Sequence, residues 1–203
     1  MKHLKKSSQL AIIPAFNEYQ SIAQTISKIP ASVDIVVIDD GSSDNTRSKC
    51  DGPNVKSIIH PRNLGYEAAI STGVSYFVDH NYDKFVVIDA DGEIDPIDAV
   101  DLLNSVNEEN PVACGYRVDY KGRISERLIS ILSRKFFKVN DVYCGCKAFH
   151  RTVISRQNHH TVAAQLFTQF IILQSKKFNI INKPLHGRKR LGAAATVGFL
   201  GMP

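Results

Sequence analysis

Two β-branched runs in this chain end in carboxylates. Ile35-Val36-Val37-Ile38 runs into Asp39-Asp40, and Phe85-Val86-Val87-Ile88 runs into Asp89-Ala90-Asp91. A continuous apolar run of that length suits a parallel strand covered on both faces. Charges at its carboxyl end then lie where open α/β sheets bind ligands. Asp89 and Asp91, two residues apart, repel, and a hard divalent cation between them relieves the repulsion. The chemistry implied is a metal-assisted site for a phosphorylated ligand.

Such a site needs alternating strands and helices to carry it. Leu10–Pro14 reads as the first strand, and Asn17 as the cap of a helix reaching about Lys28, with Ile22, Ile26 and Ile29 along one side. Asp34–Ile38 and Val55–Ile59 read as strands, with a turn and a short helix after Asp40. A helix from Gly65 to about Val78 turns Ala69, Ile70, Val74 and Phe77 to the core. Phe85–Ile88 is a strand, Asp98–Val106 a helix and Val112–Gly115 a strand. This alternation predicts parallel βαβ units. Beyond it come an amphipathic helix over Arg123–Lys138, with Ile124, Leu128, Ile131 and Leu132 on one face, a short strand at Lys147–His150, an apolar helix over Thr161–Ser175 and a last strand at Phe178–Lys183. No repeat or linker divides the 203 residues, so one domain is expected.

The charge is unevenly placed. Residues 1–116 hold 17 Asp and Glu against 9 Lys and Arg, whereas residues 117–203 hold 3 against 16, with no acid after Asp141. That asymmetry points to an anionic partner for the second part: a membrane surface, a nucleic acid or a phosphorylated substrate. The basic part lacks the aromatic interleaving of single-strand binders, which argues against nucleic acid. Cys50, Cys114, Cys144 and Cys146 form no zinc pattern and read as buried thiols of a reducing compartment. The apolar stretch after the basic N-terminus is too short for a signal peptide and is broken by Pro14. No window is long and apolar enough for a membrane span.

Four segments together carry a family resemblance: Ile12-Ile13-Pro14-Ala15-Phe16-Asn17-Glu18, Val37-Ile38-Asp39-Asp40-Gly41-Ser42-Ser43-Asp44, Asn63-Leu64-Gly65, and Ile88-Asp89-Ala90-Asp91-Gly92-Glu93. Their order and spacing resemble the inverting nucleotide-sugar glycosyltransferases of family two. The resemblance implies a GT-A, Rossmann-like α/β fold, with a mostly parallel central sheet and helices on both faces. Residues 1–116 would bind the nucleotide sugar and residues 117–203 the acceptor. Asp89, Asp91 and Glu93 would hold Mg²⁺ or Mn²⁺. Pro14, Phe16, Glu18, Asp39, Asp40, Gly65, Asp89 and Ala90 would bind the nucleotide. Asp39 can instead cap the turn that follows it.

Gly115-Tyr116-Arg117, Ser133-Arg134, Asp141 with Cys144-Gly145-Cys146-Lys147, and Pro184-Leu185-His186 with Arg188 and Arg190 are similar to dolichol-phosphate mannosyltransferases and bacterial polyprenyl-phosphate relatives. That likeness makes Arg117, Arg134 and Arg190 the grip on a lipid phosphate, and Asp91 with them the catalytic set. It implies a peripheral protein on the cytoplasmic face of an anionic membrane. Relatives that glycosylate hydroxyls carry a carboxylate base near Gln165–Phe170, and this chain has none there. A phosphate acceptor needs no such base, since it is already ionised. The same gap admits an impaired, nucleotide-sugar-binding relative. A third reading, a haloacid-dehalogenase-type phosphatase built on Asp89-Ala90-Asp91-Gly92, has Glu93 where that motif continues with Thr.

Overall fold

The computed structural model describes residues 8–118, 124–155 and 177–187. Seven strands form one sheet: β1 (Gln9–Ala15), β2 (Asp34–Asp39), β3 (Val55–Ile59), β4 (Lys84–Val87), β5 (Val112–Arg117), β6 (Lys147–His150) and β7 (Ile181–Leu185). The helices are α1 (Ile22–Ser27), α2 (Tyr66–Asp79), α3 (Pro96–Ser105), α4 (Ile124–Phe137) and α5 (Arg151–Ser155), with a 3₁₀ turn at Thr46–Lys49. The strand order is β3-β2-β1-β4-β6-β5-β7. Among the described strands only β6 runs against its neighbours, β4 and β5. The expected α/β architecture, with a mostly parallel sheet, is therefore present.

Alternation along the strands sorts the core into two layers. Leu10, Ile12, Val36, Ile38, Phe85 and Val87 pack on one face beneath Ala69, Ile70, Val74 and Phe77 of α2. Ala11, Ile13, Ile35, Val37, Val86 and Ile88 pack on the other, against Ile22 of α1 and Ala99, Leu102 and Leu103 of α3. Burying each large side chain contributes about 1.5–3 kcal/mol. The helix α2 lies close on β1 because Gly73 faces Ile12: a Cβ at Gly73 would stand 2.3 Å from Ile12 Cγ2. On the same face Phe85 packs between Phe77 and Phe149, at centroid distances of 4.7 and 5.2 Å.

The structure corrects several local readings. Asn17 is not a helix cap. It holds φ +56°, a left-handed conformation that asparagine tolerates, and α1 starts only at Ile22. Its Oδ1 instead accepts from the Ser43 amide at 2.9 Å, so it fastens the turn after β2. The helix α3 begins at Pro96, capped by Asp95, whose side chain accepts from the Ile97 amide. The last strand is shifted to Ile181–Leu185, where it pairs in parallel with β5 up to Arg117↔Leu185. The amphipathic helix expected over Arg123–Lys138 is present as α4, with Ile131 and Leu132 exposed, at 61% and 53%, and Ser133 buried. The helix expected over Thr161–Ser175 lies outside the described residues.

Candidate active site

The strands β3, β2, β1 and β4 are parallel, so their carboxyl ends share one edge of the sheet. The chain reverses direction across the sheet between β1 and β4, which opens a crevice there. Pro14 is buried in register with Ile38, and Phe16, one residue past β1, is 41% exposed. Glu18 is buried, and its Oε2 accepts from Ser21 Oγ at 2.8 Å. A cavity of about 460 Å³ opens among Asn17, Glu18, Tyr19, Gln20, Ser43, Asp44 and Asn45. It lies off the loops after β1 and β2, and the β4 carboxylates do not line it.

The two carboxylates after β2 are both buried but differ in task. Asp39 Oδ1 accepts from the Ser42 amide at 2.9 Å, the turn-capping arrangement open to it from sequence. Asp40 reaches across to the start of α2. Its Oδ1 accepts from the Leu64 amide at 2.9 Å and its Oδ2 from the Gly65 amide at 2.8 Å. His60 Nδ1 stands 2.6 Å from Asp40 Oδ1. Gly65 holds φ +97°, a conformation that needs glycine.

The β4 end carries the other carboxylates. Asp89 Oδ1 accepts from Tyr66 Oη at 2.8 Å. The opposite side of the same carboxylate faces Gly145, where a Cβ would stand 2.2 Å from Asp89 Oδ2. Burial, and then the charge of Asp91, push Asp89 up to about 6; Tyr66 and Lys147 oppose the rise and Glu93 adds to it. Burial and the adjacent Asp89 push the Tyr66 hydroxyl well above its ordinary range. Asp91 lies in the turn that follows, its Oδ1 accepting from the Glu93 amide at 2.9 Å. Ala90 is buried, and its carbonyl accepts from Thr25 Oγ1 of α1.

These residues fit a divalent cation in a particular way. Asp89, Asp91 and Glu93 bring negative charge together, and the pKa of Asp89, raised first by burial, is raised further by the charges of Asp91 and Glu93. Yet among the described residues no three His, Cys, Asp or Glu side chains form a group able to hold a metal. Tyr66 and Gly145 enclose Asp89, while Asp91 sits further out in its turn. One or two carboxylates, completed by phosphate oxygens of a ligand, are how Mg²⁺-like ions are commonly bound. The donor set suits that open arrangement and not a closed protein cage.

The acceptor-side residues are spread over separate elements. Arg117, at the end of β5, is paired with Asp141: Nε donates to Oδ2 at 3.0 Å and Nη2 to Oδ1 at 3.4 Å. Asp141 Oδ1 also accepts from the Tyr143 and Cys144 amides. That carboxylate thereby shapes the loop that lays Gly145 against Asp89. Arg134 is exposed in the last turn of α4. Arg190, the segment Gln165–Phe170 and Arg188 lie outside the described residues. All four cysteines are buried free thiols, as expected, and burial pushes Cys114 and Cys144 up to about 12.

Sequence reasoning did not single out Tyr66, His60 or Gly145 as site residues. Tyr66 follows directly on the Asn63-Leu64-Gly65 segment, but its partner is 23 positions away. Lys147 is also buried, donating to the Val142 carbonyl at 3.1 Å, and was visible only as part of a longer motif.

This α/β domain, with carboxylates at the ends of its parallel strands, has the GT-A glycosyltransferase fold. Residues 10–167 match Glycosyl transferase family 2, and the chain belongs to that family. It is 34% identical over 157 residues to an uncharacterized protein of Methanocaldococcus jannaschii, covering 67% of this chain and 69% of that one. A second uncharacterized protein of the same organism is 27% identical over 164 residues, covering 73% and 67%. Among solved structures, glucosyl-3-phosphoglycerate synthase from Mycobacterium tuberculosis in complex with Mn²⁺ and UDP-glucose superposes with a TM-score of 0.70. The identity is 18%, over 92% of this chain and 72% of that one. Its complex with Mn²⁺, UDP-glucose and glycerol 3-phosphate gives 0.63 at 20% identity, over 90% and 72%. At such identities the likeness is one of fold. The family match spans Asp89-Ala90-Asp91-Gly92, so the phosphatase reading of that segment is set aside.

Proposed function

We propose that this chain is an inverting hexosyltransferase that moves a sugar from a nucleotide sugar, GDP-mannose or a UDP-hexose, to a polyprenyl phosphate at an anionic membrane surface. The observation that carries the reading is that carboxylates follow two parallel strands of a family-two domain, Asp39 and Asp40 at β2 and Asp89 and Asp91 at β4, and share one edge of the sheet. In the reaction an acceptor phosphate oxygen forms a bond to the anomeric carbon. The bond from that carbon to the diphosphate breaks on the opposite face, and the nucleoside diphosphate leaves with the electron pair. A bound Mg²⁺ or Mn²⁺ supplies charge stabilisation on the departing diphosphate. Asp91 offers the outer carboxylate, and Tyr66 and Gly145 hold Asp89 in a fixed orientation. The loops after β1, β2 and β3 shape the nucleoside side. Arg117, Arg134 and Arg190 supply planar donors for the acceptor phosphate.

Two features support a membrane acceptor. Ile131, Leu132 and Phe136 are exposed on α4 beside Arg134 and Lys135, and residues 142–203 contain no acid. No helix among the described residues is long and apolar enough to cross a membrane. Each cation near an anionic surface contributes about 1 kcal/mol, screened by salt. A soluble phosphate-bearing acceptor is the second reading, favoured by the glycerol 3-phosphate complex of the mycobacterial relative. Incubation with labelled GDP-mannose or UDP-glucose, Mn²⁺ and either polyprenyl phosphate or glycerol 3-phosphate separates the two. Labelled lipid supports the first reading, labelled glycerol phosphate the second, and nucleotide binding without transfer the impaired relative.

A further inference from the structure

Asp40 is buried, and the donors that meet its oxygens belong to the protein itself: the Leu64 amide, the Gly65 amide and His60. His60 stands one residue beyond β3, its own amide donating to the Asp39 carbonyl at 2.9 Å. An ionised carboxylate only accepts, so Nδ1 of the ring carries the proton shared with Asp40. On the far side Nε2 lies 2.9 Å from Thr72 Oγ1, on the second turn of α2. That hydroxyl has one proton: it either donates to Nε2, or donates to the Ala68 carbonyl 3.1 Å away and accepts from Nε2. The ring, 8% exposed, is thus fixed at both nitrogens between β2, β3 and α2.

What hangs from this clamp is the loop between β3 and α2. Its backbone lies directly against the turn after β2, since a Cβ at Gly41 would stand 2.4 Å from the Arg62 carbonyl carbon. It ends at Gly65, whose amide is held by Asp40, and the next residue is Tyr66, whose hydroxyl holds Asp89. The chain His60–Asp40–Gly65–Tyr66–Asp89 therefore joins the ends of β2 and β4 across the crevice.

We propose that His60 is a positioning residue of the donor pocket. Backed by Thr72, it sets the Asp40 carboxylate as a fixed acceptor for two loop amides, and so fixes the floor on which the donor nucleotide rests. Asp40 then acts on the backbone of the pocket and not on the base itself. This inference rests on the nucleotide-sugar reading above.

Calorimetry with UDP and with GDP, each with Mn²⁺, tests it on the full chain. His60→Ala weakens binding by about tenfold, the scale of one lost hydrogen bond to a charged group. His60→Asn, which restores a donor near the Nδ1 position, recovers most of the loss. Thr72→Val, which spares the bond to Asp40, weakens binding about threefold and speeds hydrogen exchange at the Leu64 and Gly65 amides. A merely structural histidine lowers the melting temperature of His60→Ala and leaves nucleotide affinity unchanged, and that result overturns the inference. Should His60→Ala not fold, wild-type affinity and wild-type amide exchange in Thr72→Val overturn it equally. Wild-type protein that binds neither nucleotide overturns the donor reading, and the inference with it.

Discussion

Tyr66 Oη donates to Asp89 Oδ1 at 2.8 Å, and this bond ties the first turn of α2 to the end of β4. The residue before it, Gly65, is tied to β2 through Asp40. One helix start is therefore tied to the carboxylates at both strand ends. Tyr66→Phe removes the bond and little volume. Since that bond lowers the pKa of Asp89, its loss favours the protonated carboxyl. Mn²⁺-supported binding of UDP or GDP should weaken about tenfold, measured by calorimetry near neutral pH.

The raised pKa of Asp89 also makes stability depend on pH. Its folded value, about 6, lies above the ordinary 3.8. A carboxyl shifted upward contributes stability that is fully present below the lower value and lost as pH rises through the higher one. In EDTA, this group should therefore lower the melting temperature between about pH 4 and pH 6–7, against the usual trend for paired carboxylates. Mn²⁺ should reverse the loss above pH 6, and its affinity should fall as pH drops below about 6, because cation and proton compete for Asp89. Melting curves with and without Mn²⁺ across that range check both signs.

Gly145 leaves room for Asp89 that no other residue leaves. A Cβ there would meet Asp89 Oδ2 at 2.2 Å and Cγ at 2.8 Å. Gly145→Ala should displace the carboxylate or its loop, at a cost of about 1–3 kcal/mol in stability. The loss of activity should be the larger effect, since a misplacement of about 1 Å can cost 10²-fold in rate. Paired denaturation and sugar-transfer measurements separate the two.

Arg117 and Asp141 are both largely buried, at 13% and 11% side-chain exposure. Removing one partner leaves the other charge uncompensated. Arg117→Ala should destabilise the fold by about 3–5 kcal/mol, and Arg117→Lys by less. A urea titration measures this. A stability close to wild type in Arg117→Ala would show that the ion pair is not what holds the loop after α4.

Much of this architecture was legible because it depends on local pattern. The β-branched runs of β2 and β4 announce buried parallel strands, and the acids that end them fall at the sheet edge. The spacing of Ala69, Ile70, Val74 and Phe77 marks the buried face of α2. What was not legible depends on contacts distant in sequence. Asn17 reads as a helix cap by type, but the Ser43 amide recruits it into a left-handed turn. The strand β6 reads correctly at Lys147–His150, but its place between β4 and β5 and its antiparallel direction follow from no local period. His60 looks like any polar residue after a strand until Asp40 and Thr72 are seen on either side of it.

The central claim is that metal-dependent sugar transfer runs through the carboxylates at the end of β4. Asp91 is the direct test, because it lies in a turn outside the core and its loss should leave the fold intact. The measurement is transfer of labelled sugar from GDP-mannose or UDP-glucose to polyprenyl phosphate with Mn²⁺, comparing wild type, wild type in EDTA, and Asp91→Ala. The account predicts transfer by wild type, none in EDTA, and a loss of about 10²–10³-fold or more in a folded Asp91→Ala variant. Full transfer in EDTA, or by Asp91→Ala, would contradict it.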